Sequence, residues 1–483
     1  MRAFSRAEAV NDLNAFLISD AAPSGKTFSA GDLLARAEAI IERQHGESAA
    51  ERAAMLVEIG QQHLHMDHDA EARRILGRAY DISRTLSERS TRARAACALA
   101  IAVGRAGEHG RAEALFREGL AELPDEPQFA LDRIACLRDG STVARQAADP
   151  VHAVERARAT QALLPLLRYP STVLEMRTQM DLAESYRIAG DYPTAIEAFE
   201  LAYSRLVALG RENTETAGTL YNNWALALNA TGQTLQAEAL YMRAMRISSE
   251  AGTDKNVSPM LFTNLARTLI ELDRLPDAAR YADQAYQRAR AAGDEIVVEH
   301  SLLVRARAYR MLGDRARAET ILAELAPRFQ AKFPAGSVGF ASLAIERAWL
   351  AQAKGDRTGA AAEADRAVAL ARGDGVRREL LPLYLLRRAE LWLAQDRFDA
   401  AKDDAAEAIR AYEANAAPGT HSSFLGRAYL ALGRALLASG PPEEARAALA
   451  SAVLHLRPSL GDLHEQTKLA QRLSTSAIAK TGR

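Results

Sequence analysis

One turn recurs ten times along this chain at nearly constant spacing, and that regularity limits the possible folds more than any local motif. Ser185-Tyr186-Arg187-Ile188-Ala189-Gly190-Asp191 is echoed by Ala308-Tyr309-Arg310-Met311-Leu312-Gly313-Asp314. Anchoring on the turn residue gives Asp67, Gly107, Asp149, Gly190, Gly232, Asp273, Gly313, Gly355, Gln395 and Gly440, with successive spacings of 40, 42, 41, 42, 41, 40, 42, 40 and 45 residues. Five residues after each anchor stand Ala72, Ala112, Val154, Ala195, Ala237, Ala278, Ala318, Ala360, Ala400 and Ala445. Nine alanines in ten positions exceed even this alanine-rich background. A fixed period of this length is the mark of an array of identical supersecondary units.

Each unit reads as two helices. Gly, Asp or Gln at the anchor tolerates the turn that ends the first helix, and the alanine five residues on lets the second helix approach closely. Apolar or small residues recur at three-to-four spacing on both, as in Leu182, Ala183 and Tyr186 followed by Ala195, Phe199, Ala202 and Tyr203. That is the stripe of a buried helical face. One hairpin buries too little to stand alone, so stacking must supply a continuous core. Aromatic residues at 6% fit a helical inventory better than a β one, and 48% hydrophobic with 25% charged residues excludes wholesale disorder.

Helix-turn-helix units with a small residue, a tyrosine or leucine three later, a turn glycine and then alanine resemble tetratricopeptide repeats. The resemblance covers about residues 50 to 457. The usual period is about 34 residues, so about 41 here corresponds to the longer-repeat variants of the family. It implies an all-α, right-handed superhelical solenoid of about ten repeats. Three segments are expected: a helical connector or cap over 1–48, the array over 49–457, and a capping helix and tail over 458–483. In the first segment Ser5 to Ile18 reads as an amphipathic helix, and a second begins near Ser29 or Asp32. In the last, a helix is expected from about Gly461 to Ala477. Gly140 is expected to interrupt the first helix of the third unit.

The opening run is unusual: Arg6-Ala7-Glu8-Ala9-Val10-Asn11-Asp12-Leu13, Phe16-Leu17, Ser19-Asp20-Ala21-Ala22-Pro23 and Asp32-Leu33-Leu34-Ala35-Arg36-Ala37. Over roughly residues 2 to 80 it resembles the stretch just past the transmembrane helix in bacterial eukaryotic-like serine/threonine protein kinases with C-terminal tetratricopeptide repeats. That resemblance implies the sensor or docking region of a membrane-bound receptor kinase, extracytoplasmic in location, with Met1 not the native start. The alternative is a free-standing cytoplasmic scaffold or adaptor, complete from Met1.

Little in the sequence points to chemistry. Gly25-Lys26-Thr27 lacks the glycine five residues earlier that a phosphate-binding loop needs, since Asp20 stands there. Kinase, zinc-protease and serine-hydrolase motifs are missing, so no enzymatic activity and no cofactor are expected. His63, His65 and His68 cluster, but helical spacings of two and three spread the rings over more than one face, and no shared metal is expected. Cys97 and Cys136 fall on neighbouring first helices; a disulfide is conceivable, with two thiols the default. A net charge of −1 offers no field for nucleic acid. No run approaches 18 apolar residues, so no membrane insertion is expected. The aromatic stripe of Tyr186, Tyr203, Tyr221, Trp224 and Tyr241 reads as inter-repeat core.

The remaining expectation is a protein or peptide partner. In tetratricopeptide repeats extended peptides lie along the concave surface made by the first helices, on residues ten, nine, six and three positions before the turn. Transferred by register, the resemblance implies a groove of Asp181, Glu184 and Arg187, then Asn222, Asn223 and Asn229, then Thr263, Asn264 and Arg267, and finally Arg307 and Arg310. Asn223 and Asn264 match the position where the family uses asparagine to hold a peptide backbone or terminal carboxylate. The lysines of that clamp are missing, and arginines offer forked donors in their place.

Overall fold

A computed structural model describes residues 30–43, 48–249, 257–332, 334, 336–373 and 380–481. The expected helix over Ser5–Ile18, the Gly25-Lys26-Thr27 loop and most of the kinase-like run lie outside these residues. Twenty-two α-helices account for nearly all the regular structure, with no strand among the described residues. After α1 (Ala30–Arg43) come ten hairpins: α2 (Ala49–His65) with α3 (Asp69–Arg84), α4 (Arg89–Arg105) with α5 (His109–Ala121), α6 (Ala130–Gln146) with α7 (Pro150–Leu163), and α8 (Thr172–Ile188) with α9 (Tyr192–Ala208). Then come α10 (Glu215–Ala230) with α11 (Thr234–Ser249), α12 (Pro259–Glu271) with α13 (Leu275–Ala292), and α14 (Glu295–Met311) with α15 (Arg315–Lys332). The last three are α16 (Val338–Ala353) with α17 (Arg357–Arg372), α18 (Leu381–Ala394) with α19 (Phe398–Glu413), and α20 (Ser423–Ser439) with α21 (Pro442–Leu460). A final helix, α22 (Glu465–Thr481), follows. The chain divides at Gly210 into two compact units, the first holding four hairpins and the second six.

The recurrent Gly-Asp pair does two jobs. The glycine takes the left-handed conformation that ends the first helix, as at Gly190 (φ 80°). The next residue donates its N–H five residues back, Asp191 to the Tyr186 carbonyl at 3.0 Å, and so satisfies a carbonyl the helix end leaves open. That residue then caps the second helix: the Asp191 side chain accepts from Thr194 N–H, Asp149 from His152 N–H, and Asp356 from Gly359 N–H. Two residues thus stop one helix and start the next.

This geometry corrects the sequence register in two units. In the third and ninth hairpins the left-handed residue is Ala148 (φ 54°) and Asp396 (φ 59°), one before and one after the expected anchors Asp149 and Gln395. Counting five from the true turn residue lands on Ala153 and Ala401, both fully buried, instead of Val154 and Ala400, which are half-buried. All ten positions then hold alanine, and all ten are 0% exposed. A methyl group is the largest side chain the crossing of the two helices admits. In the tenth hairpin Gly440 is extended and Pro441 and Pro442 open the second helix, so the turn is made by proline geometry instead.

Gly140 does not interrupt α6. The Phe116 ring lies where its Cβ would be, 2.2 Å from the nearest ring atom, so the glycine marks a close approach within a continuous helix. Arg156 stacks 4.0 Å from the Phe116 centroid, donates to the Gly140 carbonyl at 2.9 Å and pairs with Glu113, tying the second and third hairpins together. Cys97 and Cys136 are bridged, with 5.3 Å between their Cα atoms. The first helices α4 and α6 pack close enough for this, so the pair is a disulfide and not the two thiols expected by default. At the C-terminus α21 runs through Pro458 to Leu460 and stops at Gly461 (φ 89°), and the last helix begins at Glu465, later than expected. Proline in a final turn forfeits little of the hydrogen-bond ladder.

The register correction is testable. Ala153→Leu should overpack the α6–α7 crossing and cost about 1–3 kcal/mol. Val154→Leu, one residue on, should cost well under half of that. Urea denaturation of both variants decides between the two registers.

Candidate binding interior of the second unit

The second unit closes on itself. At the fifth hairpin's turn Gly232 is left-handed (φ 80°), and its carbonyl accepts from Ser423 N–H at 2.8 Å, at the start of α20. Thr234 and Ser423 share a hydroxyl hydrogen bond at 2.9 Å, both fully or almost fully buried. A Cβ on residue 232 would sit 2.4 Å from Ser422 Oγ, so both the backbone conformation and the contact require glycine. Nearby, His464 Nε2 lies 3.1 Å from the Glu271 carbonyl oxygen and 3.0 Å from an Asp273 carboxylate oxygen, joining the approach to α22 to the end of α12.

Closure brings the first helices' polar residues together. The Glu271 carboxylate, at the end of α12, accepts from Arg387 of α18 at 2.7 Å and Arg427 of α20 at 2.6 Å, and forms an ion pair with Arg307 of α14 at 3.2 Å. Glu346 of α16 pairs with Arg310 at 2.9 Å and lies 3.5 Å from Arg307. Glu390 of α18 pairs with Arg427 at 2.6 Å. Burial opposes the charge on Arg427, but Glu390 and Glu271 outweigh it and hold its pKa above the ordinary arginine value. Burial raises the Tyr384 phenol, which shares a 2.7 Å hydrogen bond with Ser342.

Beside this lattice Arg267 is different. It makes no hydrogen bond or ion pair with a described residue, although it is enclosed by protein and keeps only part of its surface in solvent. Burial first, and then the like charge of Arg307, lower its pKa. His300 is lowered too, by burial and by Arg267 itself. One turn back, Asn264 donates to Asn222 Oδ1 at 3.2 Å, and Asn222 donates to Asn223 Oδ1 at 2.9 Å, forming an amide chain from α12 to α10. The interior therefore presents five guanidinium groups (Arg267, Arg307, Arg310, Arg387, Arg427) against three carboxylates. The excess is positive.

The sequence-derived groove residues fall in both units. Asp181 pairs with Arg138 at 2.6 Å, and Glu184 with Arg187 at 2.6 Å, in the first unit. The other eight lie in the second. Arg307 and Arg310 are engaged by carboxylates, Thr263 is fully buried and bonds the Pro259 carbonyl of its own helix, and Asn229 keeps an enclosed Oδ1 without a hydrogen bond. Asn222, Asn223, Asn264 and Arg267 are the members brought together. Glu346, Arg387 and Glu390 were not singled out from sequence. Yet they stand nine, nine and six residues before the turn residues Gly355 and Asp396, so the same rule carried into the later hairpins, with the corrected register, finds them. Arg427 and Glu271 lie off that register and needed the closure itself.

Residues 216–291 match the tetratricopeptide repeat family profile. No curated protein matches the sequence. Among solved structures, a Rap protein complexed with competence and sporulation factor aligns with a TM-score of 0.50 at 14% identity, over 81% of this chain and 98% of its own. The apo form of the quorum sensor NprR from B. thuringiensis aligns with a TM-score of 0.52 at 13% identity, over 75% and 99%. The chain has a tetratricopeptide-like repeat fold.

Elsewhere in this repeat protein one buried carboxyl stands out. Asp139 on α6 has an enclosed Oδ2 with no hydrogen-bond partner. Burial pushes its pKa up to about 6, against the opposing charges of Arg94 and Arg138 and with the help of Asp181 and Glu58.

Two predictions follow from these carboxyl groups. Glu271→Gln leaves the three arginines of the repeat interior short of their shared anion, and should cost about 3–5 kcal/mol. The chain's three tryptophans, Trp224, Trp349 and Trp392, all lie in the second unit, so their fluorescence in urea measures it. For Asp139 the folded pKa is raised, so its contribution to stability is fully present below the unfolded value and is lost as pH rises through about 6. Asp139→Asn should therefore be more stable than wild type at pH 8, by about 1–3 kcal/mol. The gain should vanish near pH 4 when unfolding is followed by circular dichroism.

Proposed function

We propose that the chain is a non-catalytic binding module whose second unit takes an extended protein or peptide segment bearing a carboxylate onto its inner face. The observation that carries this reading is Arg267, a fixed cation held in enclosed surroundings with no hydrogen-bonded or ion-paired acid among the described residues and only the longer-range attraction of Glu271, beside the Asn264–Asn222–Asn223 amide chain. Leaving a buried charge uncompensated is costly, and a carboxylate matches the guanidinium fork in shape and sign. The excess of arginine over glutamate in the interior favours the same ligand charge. The interior glutamates are tied to arginines, and Arg267 does not exchange protons near neutrality, so the arrangement serves recognition better than acid–base chemistry. A Rap protein of similar fold was solved complexed with competence and sporulation factor, which supports a fold of this kind receiving a ligand.

The wider setting we infer is the sensor or docking region of a membrane-bound serine/threonine kinase. It rests on the run from Arg6 to Ala37, and sequencing the genomic frame upstream of Met1 tests it. A kinase domain followed by about 20 apolar residues would support it; a stop codon would favour the free-standing scaffold. The binding reading is tested separately. Peptide arrays of acidic, neutral and basic composition should show preferential capture of the acidic set. A variant combining Asn223→Ala, Asn264→Ala and Arg267→Glu, shown to be folded by circular dichroism, should bind that set at least about tenfold more weakly, equivalent to about 1.4 kcal/mol. Undiminished capture by the folded variant would move the site away from this interior.

A further inference from the structure

The first hairpin brings two histidines together in a way helical spacing does not. His63, in the last turn of α2, is buried, whereas His68 stands exposed at the N-cap of α3. Asp67 between them takes the left-handed conformation (φ 56°), and the His68 N–H donates to the His63 carbonyl at 3.0 Å. The chain therefore folds back on itself, and the His68 ring returns over the His63 ring. Their Nδ1 atoms face each other at 3.4 Å, with ring centroids 5.6 Å apart and planes inclined at 43°. His65, two residues from His63, is exposed on α2.

The distance is informative. Nitrogen–hydrogen-bond contacts centre near about 2.9–3.0 Å, so 3.4 Å is long for a simple imidazole–imidazole bond. It equals the edge of a tetrahedron whose nitrogen ligands stand about 2.0–2.1 Å from a central ion, an edge of about 3.3–3.4 Å, and a small inward turn of the exposed His68 ring gives the edge of about 2.8 Å that tetragonal copper(II) takes. The local charges suit a cation. Burial and the Arg74 guanidinium oppose positive charge at His63, and the Glu71 and Glu38 carboxylates favour it. Arg74 is paired with Glu38 through both prongs of its guanidinium, which leaves Glu71 as the main carboxylate acting on the ring. Among the described residues no three ligating side chains converge, so the protein supplies two ligands and water the rest. Exposure of His68 leaves the way in open.

We propose that His63 and His68 form a two-imidazole site for a borderline divalent transition ion. Imidazole pairs select copper, nickel and zinc over magnesium and calcium, with copper(II) bound most tightly. The ion would join the end of α2 to the start of α3 and clamp the first turn of the array. This site lies in the first unit and is independent of the ligand reading for the second.

The test uses the full chain, without an affinity tag and stripped with chelator. Copper(II), zinc(II) and magnesium(II) are titrated by calorimetry into wild type, His68→Ala and His65→Ala. His68 is a surface residue, and circular dichroism verifies that its variant is folded. One equivalent of copper(II) should bind to wild type and to His65→Ala. Its dissociation constant should rise at least about tenfold in His68→Ala, zinc(II) should bind the same site more weakly, and magnesium(II) should not bind. Electron paramagnetic resonance of the copper(II) form should show two coupled imidazole nitrogens in wild type and one or none in His68→Ala. Equal binding by wild type and His68→Ala, equal loss in both variants, or no copper(II) binding by wild type would each overturn the site. The last would leave a plain imidazole–imidazole hydrogen bond.

Discussion

The second unit depends on one carboxylate. Glu271 gathers arginines from α14, α18 and α20, with side chains that lie far apart in sequence, and only 8% of its own side-chain surface remains exposed. Buried ion pairs contribute little net stability relative to well-packed apolar groups, but they are strict about geometry. An open stack of hairpins could curve through a range of pitches at small cost, because each hairpin contacts only its neighbours. A carboxylate of the sixth hairpin satisfied by guanidiniums from the seventh, ninth and tenth accepts far fewer. The hydrogen bonds between the Gly232 turn and Ser423 reinforce the same closure from the outside of the interior.

Closure also decides what kind of interior results. Groove positions that would face solvent in an open array are used up in mutual pairing, as Arg307 and Arg310 show. What is left over is specific: one unpaired guanidinium and a short amide chain. An interior whose own charges are mostly satisfied recognises a ligand through the few groups that are not, since only those gain a partner on binding. That is why the proposal for this protein rests on Arg267 and its neighbours instead of on the whole concave face.

Much of the fold was legible because turn chemistry is local. A left-handed residue, a capping aspartate and a small residue at the helix crossing are demands made within one hairpin, and the ten-fold recurrence made them visible. The errors were local as well. Ala148 and Asp396 adopt the left-handed conformation although neither is glycine, so anchoring on the most glycine-like residue slipped the third and ninth units by one position. Gly140 looked like an interruption because its partner, Phe116, lies in another hairpin. The histidine pair was overlooked for a related reason: helical spacing was applied to residues that straddle a turn.

By itself the sequence determined the helical class, the ten hairpins, the alanine at most of the crossings and the two-residue device that joins one helix to the next. Each of these is set by interactions spanning a few residues, and a repeated pattern states them ten times over. Only the tertiary structure decided that the last six hairpins close on themselves, that Glu271 meets Arg387 and Arg427, and that Arg267 is left without a partner. Those outcomes depend on small rotations between successive hairpins, accumulated over six of them. No single unit carries a sequence signal for that sum.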